Sequence, residues 1–275
     1  MGTTGLRRRH PAFAAGLATL AMTLSLAAPA QAVDKLDYYV ALGDSYAAGV
    51  GAGPYLDTTC FRTDNAYSEL ADDLKTVKDT TNAACSGATT EEGVSEQLGA
   101  LNRKTDLVTI TAGGNDLGFG ELATYCGAYA LDPTNTAAGQ ACTAAIAFAE
   151  TQITSGALYQ DLVTMIESVQ AAAPNAQIVV TGYPYLFEPR DPQDPLFAFV
   201  SQANFLVAQL NATIQAAALA TGAEYVDVTD EFAGHGIFSE DPWINFIGDP
   251  DVALHPNAEG YEAYFAALLS EGVYN

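Results

Sequence analysis

The chain alternates between short apolar runs and longer stretches in which apolar residues recur with helical spacing. Runs of this kind, without polar alternation, predict buried β-strands at residues 38–42, 76–83, 107–112, 177–182 and 224–228. The run at 76–83 has the fewest apolar residues of the five. Amphipathic or Ala-rich stretches predict helices at residues 66–74, 91–101, 158–172, 197–220 and 258–269. Strands that alternate with helices predict a parallel sheet covered by helices on both faces.

Residues 118–155 do not follow this alternation. They are predicted to be an insertion that is mostly loop, with a short Ala-rich helix. In an open α/β sheet the ligand crevice lies beyond the carboxyl ends of the strands. The residues that directly follow each predicted strand are therefore the candidates for chemistry.

The first 32 residues have the pattern of an export signal. Arg7, Arg8 and Arg9 precede an apolar run at 13–28, and Ala30-Gln31-Ala32 provides a small-x-small cleavage site. We predict a signal peptide at 1–32 and a single domain at 33–275. A buried or membrane-spanning helix is the alternative, but the run is short and interrupted by Gly, Thr and Ser.

The charge balance is strongly acidic. The chain has 10 Lys and Arg against 33 Asp and Glu, a net charge of −23 that becomes −26 when the three arginines of the leader are removed. This sign disfavours nucleic acids and anionic membranes as partners. An acidic coat that keeps an exported protein soluble is the simpler interpretation.

Four cysteines follow the leader: Cys60, Cys85, Cys126 and Cys142. An even number in an exported chain predicts two disulfides, for which three pairings are possible. The sequential pairing, Cys60 with Cys85 and Cys126 with Cys142, closes the two shortest loops. A zinc site is the rival interpretation, but there is no Cys-x-x-Cys spacing and no nearby His. No metal or other cofactor is predicted.

A serine follows the first predicted strand in the sequence Gly43-Asp44-Ser45. Gly43 permits a sharp turn, after which Ser45 starts a helix with its hydroxyl and N–H facing the crevice. Asp44 is expected to hold this turn by hydrogen bonding. A helix N-cap is the alternative role for Ser45. A phosphate-binding loop at the glycine-rich residues 49–53 is a weaker alternative, because the spacing matches no common nucleotide motif.

Two other strand ends carry hydrogen-bond donors. Asn115 follows the third strand and Gly87 follows the second, and an amide at either position can donate to an oxygen that becomes negative. Ordinary turn-forming roles are the alternative for both. His255 is one of two histidines after the leader and is the candidate general base, whereas His235 lies in a glycine-flanked loop and is expected to be structural.

These motifs resemble those of the SGNH hydrolases, also called GDSL lipases or esterases, and in particular the secreted actinobacterial branch. The resemblance covers nearly all of residues 33–275 and rests on Gly43-Asp44-Ser45, Gly87, Gly113-Gly114-Asn115-Asp116 and His255-Pro256. It implies a flavodoxin-like three-layer α/β/α sandwich with a five-stranded parallel sheet. It further implies that Ser45 is the nucleophile, that His255 is its base, and that the Ser45 N–H, the Gly87 N–H and Asn115 form an oxyanion hole.

The sequence departs from the family at two places. The family's third triad residue is an Asp three positions before the His, and that position is Val252 here. Either Asp251 or a backbone carbonyl such as that of Val252 is therefore expected to orient the imidazole. The family's frequent third disulfide is also missing.

The loops at 188–195 and 234–246 are expected to line the acyl pocket. Four apolar residues are candidates for that role, although each could equally be part of the core: Phe187, Phe232, Trp243 and Phe246.

The expected function is that of a secreted, metal-free serine hydrolase of carboxylic esters that forms an acyl-enzyme. Fatty-acyl esters, including lipids, are the leading substrates, and a monomer with transient contact to a lipid interface is expected. One alternative is a carbohydrate acetylesterase on the same fold. The other is a non-catalytic binding protein, for which Ser45, Asn115 and His255 would have no purpose.

Overall fold

The computed structural model describes residues 1–2, 35–246 and 252–275. The predicted signal peptide and Asp251 lie outside the described residues. All the elements below belong to one compact unit, Val33–Asn275.

Five parallel strands form a single sheet in the order β2-β1-β3-β4-β5. This order is that of the flavodoxin-like doubly wound folds, so the predicted fold class is confirmed. The strands are β1 (Tyr39–Gly43), β2 (Thr80–Asn82), β3 (Leu107–Thr111), β4 (Gln177–Thr181) and β5 (Glu224–Val226).

Two interior strands of the sheet, β1 and β3, are its most buried. Every residue of β1 and of β3 is buried, as expected for parallel strands covered on both faces. In register, Tyr39 lies beside Thr80 of β2 and Leu107 of β3. The strand predicted at 76–83 is only three residues long, because β2 lies at an edge and its partly exposed Thr and Asn residues form a ladder with β1 alone.

The helices in chain order are α1 (Ser45–Ala48), α2 (Thr90–Glu92), α3 (Phe119–Glu121), α4 (Gly127–Leu131), α5 (Thr136–Thr154), α6 (Ala157–Ala172), α7 (Phe197–Thr221) and α8 (Ala258–Ser270). The helix predicted at 66–74 is only a 3₁₀ stretch at Glu69–Asp73. The one predicted at 91–101 divides into α2, a π-helical segment at Gly93–Gln97 and a 3₁₀ turn at Leu98–Ala100. A Cβ atom at Gly93 would lie 2.7 Å from the Met165 Cε atom, so this segment packs closely against α6.

The insertion at 118–155 is more helical than the sequence suggested. It consists of α3, a π-helical segment at Leu122–Cys126, α4 and the 19-residue α5. Alanines dominate α5 and favour the helix, and the side chain of Asn135 caps its N-terminus by accepting from the Ala138 N–H. The prediction that this segment is mostly irregular is therefore wrong.

Two disulfides form in the sequential pairing. Cys60 is bonded to Cys85, and Cys126 is bonded to Cys142. The second disulfide joins the π-helical segment of the insertion to α5. Over the part of the chain that the structure describes, no helix is both long and apolar enough to cross a membrane.

Candidate active site

The turn between β1 and α1 places Ser45 at the start of α1. Gly43 has a φ of +128°, and a Cβ atom there would lie 1.9 Å from the Thr111 carbonyl oxygen, so no larger residue fits. The Asp44 carboxylate accepts from the Tyr46 N–H at 2.9 Å and is the N-cap of α1. Asp44 therefore holds the turn as predicted, and Ser45 is the first helical residue rather than the cap. Among the described residues, nothing accepts a hydrogen bond from the Ser45 N–H.

His255 reaches Ser45 across 210 residues of sequence. Its Nε2 atom lies 2.8 Å from the Ser45 Oγ, and its Nδ1 atom lies 2.9 Å from the carbonyl oxygen of Ala253. A carbonyl oxygen only accepts, so Nδ1 carries the proton and Nε2 presents its lone pair to the serine hydroxyl. This is the arrangement in which an imidazole can take a proton from a serine.

The backbone acceptor of His255 differs from the one the sequence suggested. The Val252 carbonyl accepts from the backbone N–H of His255 at 3.1 Å, and the carbonyl that faces the ring is that of Ala253. The closer acceptor is thus one residue beyond Val252, whose carbonyl contributes a weaker interaction with the ring. Leu254, between Ala253 and His255, has a φ of +64°, which is uncommon for a residue with a branched side chain.

The extended segment at Ile244 and Asn245 holds the loop of His255 in place. Ile244 forms an antiparallel bridge with Pro256, and the Asn245 N–H donates to the His255 carbonyl at 2.8 Å. The side-chain amide of Asn245 lies 3.1 Å from that same carbonyl and 3.2 Å from the Gly51 carbonyl. Asn245 thereby links the loop of the histidine to the loop that follows the serine.

Burial lowers the pKa of His255 to about 4, although the carbonyls of Ala253 and Val252 favour the protonated ring and raise the pKa in part. The ring is packed against Tyr46 and Phe119, with centroids at 5.2 Å and 5.9 Å. At neutral pH the imidazole is consequently neutral and able to accept a proton.

The donors predicted at the second and third strands lie on connected segments. The Asn115 Nδ2 atom donates to the Ala88 carbonyl at 2.9 Å, which leaves its second amide hydrogen for another acceptor. The Cys85 N–H donates to the Gly43 carbonyl at 3.0 Å. Gly87 lies in the turn between them with a φ of +84°, and among the described residues its N–H has no acceptor. The turn is thus attached both to the serine segment and to Asn115.

A buried network beside the serine was not foreseen from the sequence. The Tyr183 hydroxyl donates to the Asp44 carboxylate at 2.5 Å and accepts from the Gly114 N–H at 3.2 Å. Burial raises the pKa of Asp44 to about 7, while the donors from Tyr183 and Tyr46 lower it in part. Tyr183 stands directly after the fourth predicted strand, and that position was the only signal available for it.

An apolar cavity of about 310 Å³ opens at Ser45. Its walls come mainly from the insertion and from α7, with Phe119, Ile146, Phe199 and Leu206 among the lining side chains. Neither of the two loops predicted to line the acyl pocket contributes a residue among those described. The insertion occupies that position instead.

Of the four apolar candidates, only Phe187 lines the cavity. Phe232 is buried against Trp243 and Tyr264 with centroids at 6.1 Å and 5.7 Å, so it serves as core. The ring of Phe246 lies 6.1 Å from that of Phe238 and is half exposed.

Residues 41–263 match the GDSL-like lipase/acylhydrolase family. The chain belongs to this family. As a GDSL-like lipase/acylhydrolase it is an ester hydrolase, which confirms the expected enzyme class and the resemblance to SGNH hydrolases.

Two lipases from Streptomyces are similar to this GDSL-like hydrolase along almost their whole length. A lipase of Streptomyces rimosus is 35% identical over 273 residues, which cover 96% of this chain and 98% of the relative. Lipase 1 of Streptomyces coelicolor is also 35% identical and covers 94% and 93% of the two chains.

Solved structures show the same similarity. The crystal structure of the extracellular lipase of Streptomyces rimosus superposes with a TM-score of 0.76 over 85% of this chain and 99% of that one, at 35% identity. Phospholipase A1 of Streptomyces albidoflavus has a TM-score of 0.74 and 34% identity, and covers 86% of this chain and 99% of that one.

The other histidine of the GDSL-like hydrolase domain has a different environment. The ring of His235 stacks on Trp243 with centroids 3.4 Å apart, and its Nδ1 atom lies 2.8 Å from the Asp241 carbonyl oxygen. These contacts fit the structural role predicted for it. Within the described ranges, no group of three or more His, Cys, Asp and Glu side chains is placed to hold a metal ion.

Proposed function

We propose that this chain is an exported hydrolase of lipid acyl esters in which Ser45 is the nucleophile and His255 is its general base. The observation that carries the proposal is the 2.8 Å contact between the His255 Nε2 atom and the Ser45 Oγ atom, at the mouth of an apolar cavity. A nucleophile and a base within hydrogen-bonding distance, with the base oriented by a third group, are the requirements for acyl transfer by serine.

The reaction takes place in two halves. The His255 Nε2 atom takes the proton of Ser45 as its Oγ bonds to the ester carbonyl carbon. The resulting oxyanion accepts hydrogen bonds from the Ser45 N–H, the Gly87 N–H and the Asn115 amide. The leaving alcohol then departs with the proton from His255 and leaves an acyl-enzyme. A water molecule, deprotonated by the same ring, releases the acid and restores Ser45.

We propose that the carbonyl of Ala253 orients the imidazole, so that the site works as a Ser–His pair. Its oxygen lies 2.9 Å from the Nδ1 atom and fixes the tautomer that the base requires. With this acceptor in place, Asp251 is not needed for orientation.

The apolar lining of the cavity favours a fatty-acyl substrate. Its lining is almost entirely apolar, and each buried CH₂ group of an acyl chain contributes about 0.8 kcal/mol of transfer free energy. A carbohydrate acetylesterase needs only a small pocket for its acetyl group, next to polar groups that bind the sugar. The relatives named lipase and phospholipase A1 support the same choice of lipid esters.

We further propose that the mature enzyme is extracellular and monomeric and touches lipid surfaces transiently. The leader pattern at 1–32, the two disulfides and the extracellular lipase of Streptomyces rimosus support export. The single chain brings together all the groups used in the reaction, so a second subunit is not required.

Hydrolysis of p-nitrophenyl esters of graded acyl length tests the proposal. The wild type should prefer butyrate and longer acyl chains to acetate, and Ser45→Ala and His255→Ala should each lower kcat by a factor on the order of 10⁵. Ser201→Ala, at an exposed serine on α7, is the matched control and should keep full activity. Equal rates for wild type and Ser45→Ala, or a strict preference for acetate, would contradict the proposal.

A further inference from the structure

We infer that the outer face of α4, α5 and α7 around the cavity is a docking surface for a zwitterionic phospholipid bilayer. The inference rests on the proposed function, because it concerns how a lipid ester reaches Ser45. We call this surface the apolar rim and define it by five exposed side chains: Tyr129, Leu131, Phe148, Phe197 and Phe205.

The acidic coat of the protein is interrupted at this face. Helix α7 has 25 residues and no Asp, Glu, Lys or Arg, although the chain as a whole has 33 acidic residues. Helix α5 has a single charged residue, Glu150, and α4 has none. A surface without charges loses little hydration free energy when it comes into contact with lipid.

The same helices leave large apolar side chains in solvent. Leu131 is 60% exposed and Phe205 is 54% exposed, and the other three members of the apolar rim are between 36% and 49% exposed. Single exposed apolar residues are ordinary, whereas a group of them on adjoining helices marks an interaction site. Phe and Tyr are also suited to the boundary between lipid and water.

The apolar rim lies on the same helices that form the cavity wall. The cavity is lined by Ile146 of α5, by Phe199 of α7 and by Tyr129 of α4, which also belongs to the apolar rim. The Gln202 side chain of α7 donates to the Glu150 carboxylate of α5 at 3.3 Å, which joins the two helices. An acyl chain that leaves a bilayer at this face would therefore reach the serine along a lining that is almost entirely apolar.

The charge of the molecule selects the kind of bilayer. With a net charge of −23, or −26 without the predicted leader, the protein is repelled by anionic lipid surfaces. The three helices of the apolar rim contain no Lys or Arg that would attract phosphate groups. A bilayer of zero net charge, such as one of phosphatidylcholine, is therefore the surface that fits.

Vesicle sedimentation tests the inference. The binding assay uses the full mature chain carrying Ser45→Ala, so that no lipid is hydrolysed during the measurement. It compares phosphatidylcholine vesicles with phosphatidylglycerol vesicles at low salt. We expect binding to phosphatidylcholine and little binding to phosphatidylglycerol. We also expect that adding Leu131→Ser and Phe205→Ser, two positions outside the cavity lining, lowers the affinity at least about tenfold.

Helix α7 provides the matched control at Leu219, which is 71% exposed. It lies 14 residues beyond Phe205, about 21 Å along the helix and past Leu210, the last α7 residue among those that line the cavity. Leu219→Ser removes at least as much exposed apolar surface as Leu131→Ser alone and should leave vesicle binding unchanged.

An activity assay separates this inference from the proposed function. In the background with an intact Ser45, the Leu131→Ser/Phe205→Ser variant should hydrolyse soluble p-nitrophenyl butyrate at the wild-type rate and vesicle phosphatidylcholine at least about tenfold more slowly. Unchanged vesicle binding in that variant, an equal loss in Leu219→Ser, or equally tight binding to phosphatidylglycerol would overturn the docking surface. Failure of Ser45→Ala to abolish hydrolysis of the soluble ester would instead overturn the proposed mechanism.

Discussion

The hydroxyl of Tyr46 donates a hydrogen bond to the carbonyl oxygen of Leu254 at 2.5 Å. Tyr46 directly follows the serine and Leu254 directly precedes the histidine, so this one bond joins the segments that carry the proposed nucleophile and the proposed base. The bond also holds a residue whose backbone has a positive φ, next to the His255 ring. We therefore assign Tyr46 a positioning role.

Replacing Tyr46 by Phe removes this bond and keeps the ring that packs on His255. We expect kcat to fall about tenfold with KM nearly unchanged, because the base loses its alignment while the cavity stays intact. Steady-state kinetics on p-nitrophenyl butyrate provide the measurement. Tyr39→Phe is the matched control, since Tyr39 is also buried and shares a hydrogen bond of 2.8 Å with Thr109. Both variants should lose about 1 kcal/mol of unfolding free energy, but only Tyr46→Phe should lose activity.

Asp251→Asn tests which group orients the imidazole. With the Ala253 carbonyl 2.9 Å from the Nδ1 atom, we expect this variant to keep kcat within about threefold of the wild type. In a triad, changing the carboxylate that orients the histidine to an amide lowers kcat by a factor of about 10⁴. A loss near that size would contradict the assignment to Ala253 and make Asp251 a member of a triad.

The pH profile of kcat/KM should remain flat well below the usual pKa of histidine. Only the neutral ring can act as base, and burial lowers the pKa of His255 to about 4. Activity should therefore be lost as the pH falls through about 4, where the ring becomes protonated, rather than through 6.5. Release of a fluorescent alcohol from its butyrate ester between pH 3.5 and 8 gives the profile.

Circular dichroism over the same pH range shows whether the fold persists where activity is lost. Asp44 has a raised pKa of about 7 and lies next to the serine, so the profile of Asp44→Asn separates its titration from that of His255. An acid limb at 6.5 or above in both proteins would show that the histidine has an ordinary pKa.

A larger side chain in the cavity should change the preferred acyl length. Ala203 of α7 lines the cavity, and Ala203→Phe fills part of it. We expect kcat/KM for p-nitrophenyl decanoate to fall at least about tenfold while the acetate ester is hydrolysed at nearly the wild-type rate. Ala216→Phe makes the same change at an exposed position further along the helix and should not alter the preference. An equal loss on both esters in Ala203→Phe would indicate that the cavity does not hold the acyl chain.

The parts of the site that were predictable from sequence depend on local geometry. Gly43, Asp44 and Ser45 are adjacent, and the turn that they form needs only the end of a strand and the start of a helix. The buried strands β1 and β3 were predictable because every residue in them faces a covered side of the sheet. The fold class follows from the order of such elements.

The remaining parts depend on contacts between distant segments. Tyr183 reaches Asp44 over 139 residues and Tyr46 reaches Leu254 over 208 residues, and no spacing in the sequence indicates such pairs. The acceptor of the His255 ring depends on the positive φ of Leu254, which a Leu residue does not predict. The cavity wall was assigned to the wrong loops because the insertion was expected to be mostly irregular rather than helical.

The charge-free length of α7 has a consequence for the effect of salt. Mobile ions screen an attraction or repulsion only where there are fixed charges for them to surround. Added electrolyte should therefore weaken the repulsion between the acidic remainder of the protein and anionic vesicles, and leave its adhesion to phosphatidylcholine almost unaltered. The affinity of such an enzyme for an uncharged lipid surface does not depend on the ionic strength of its surroundings.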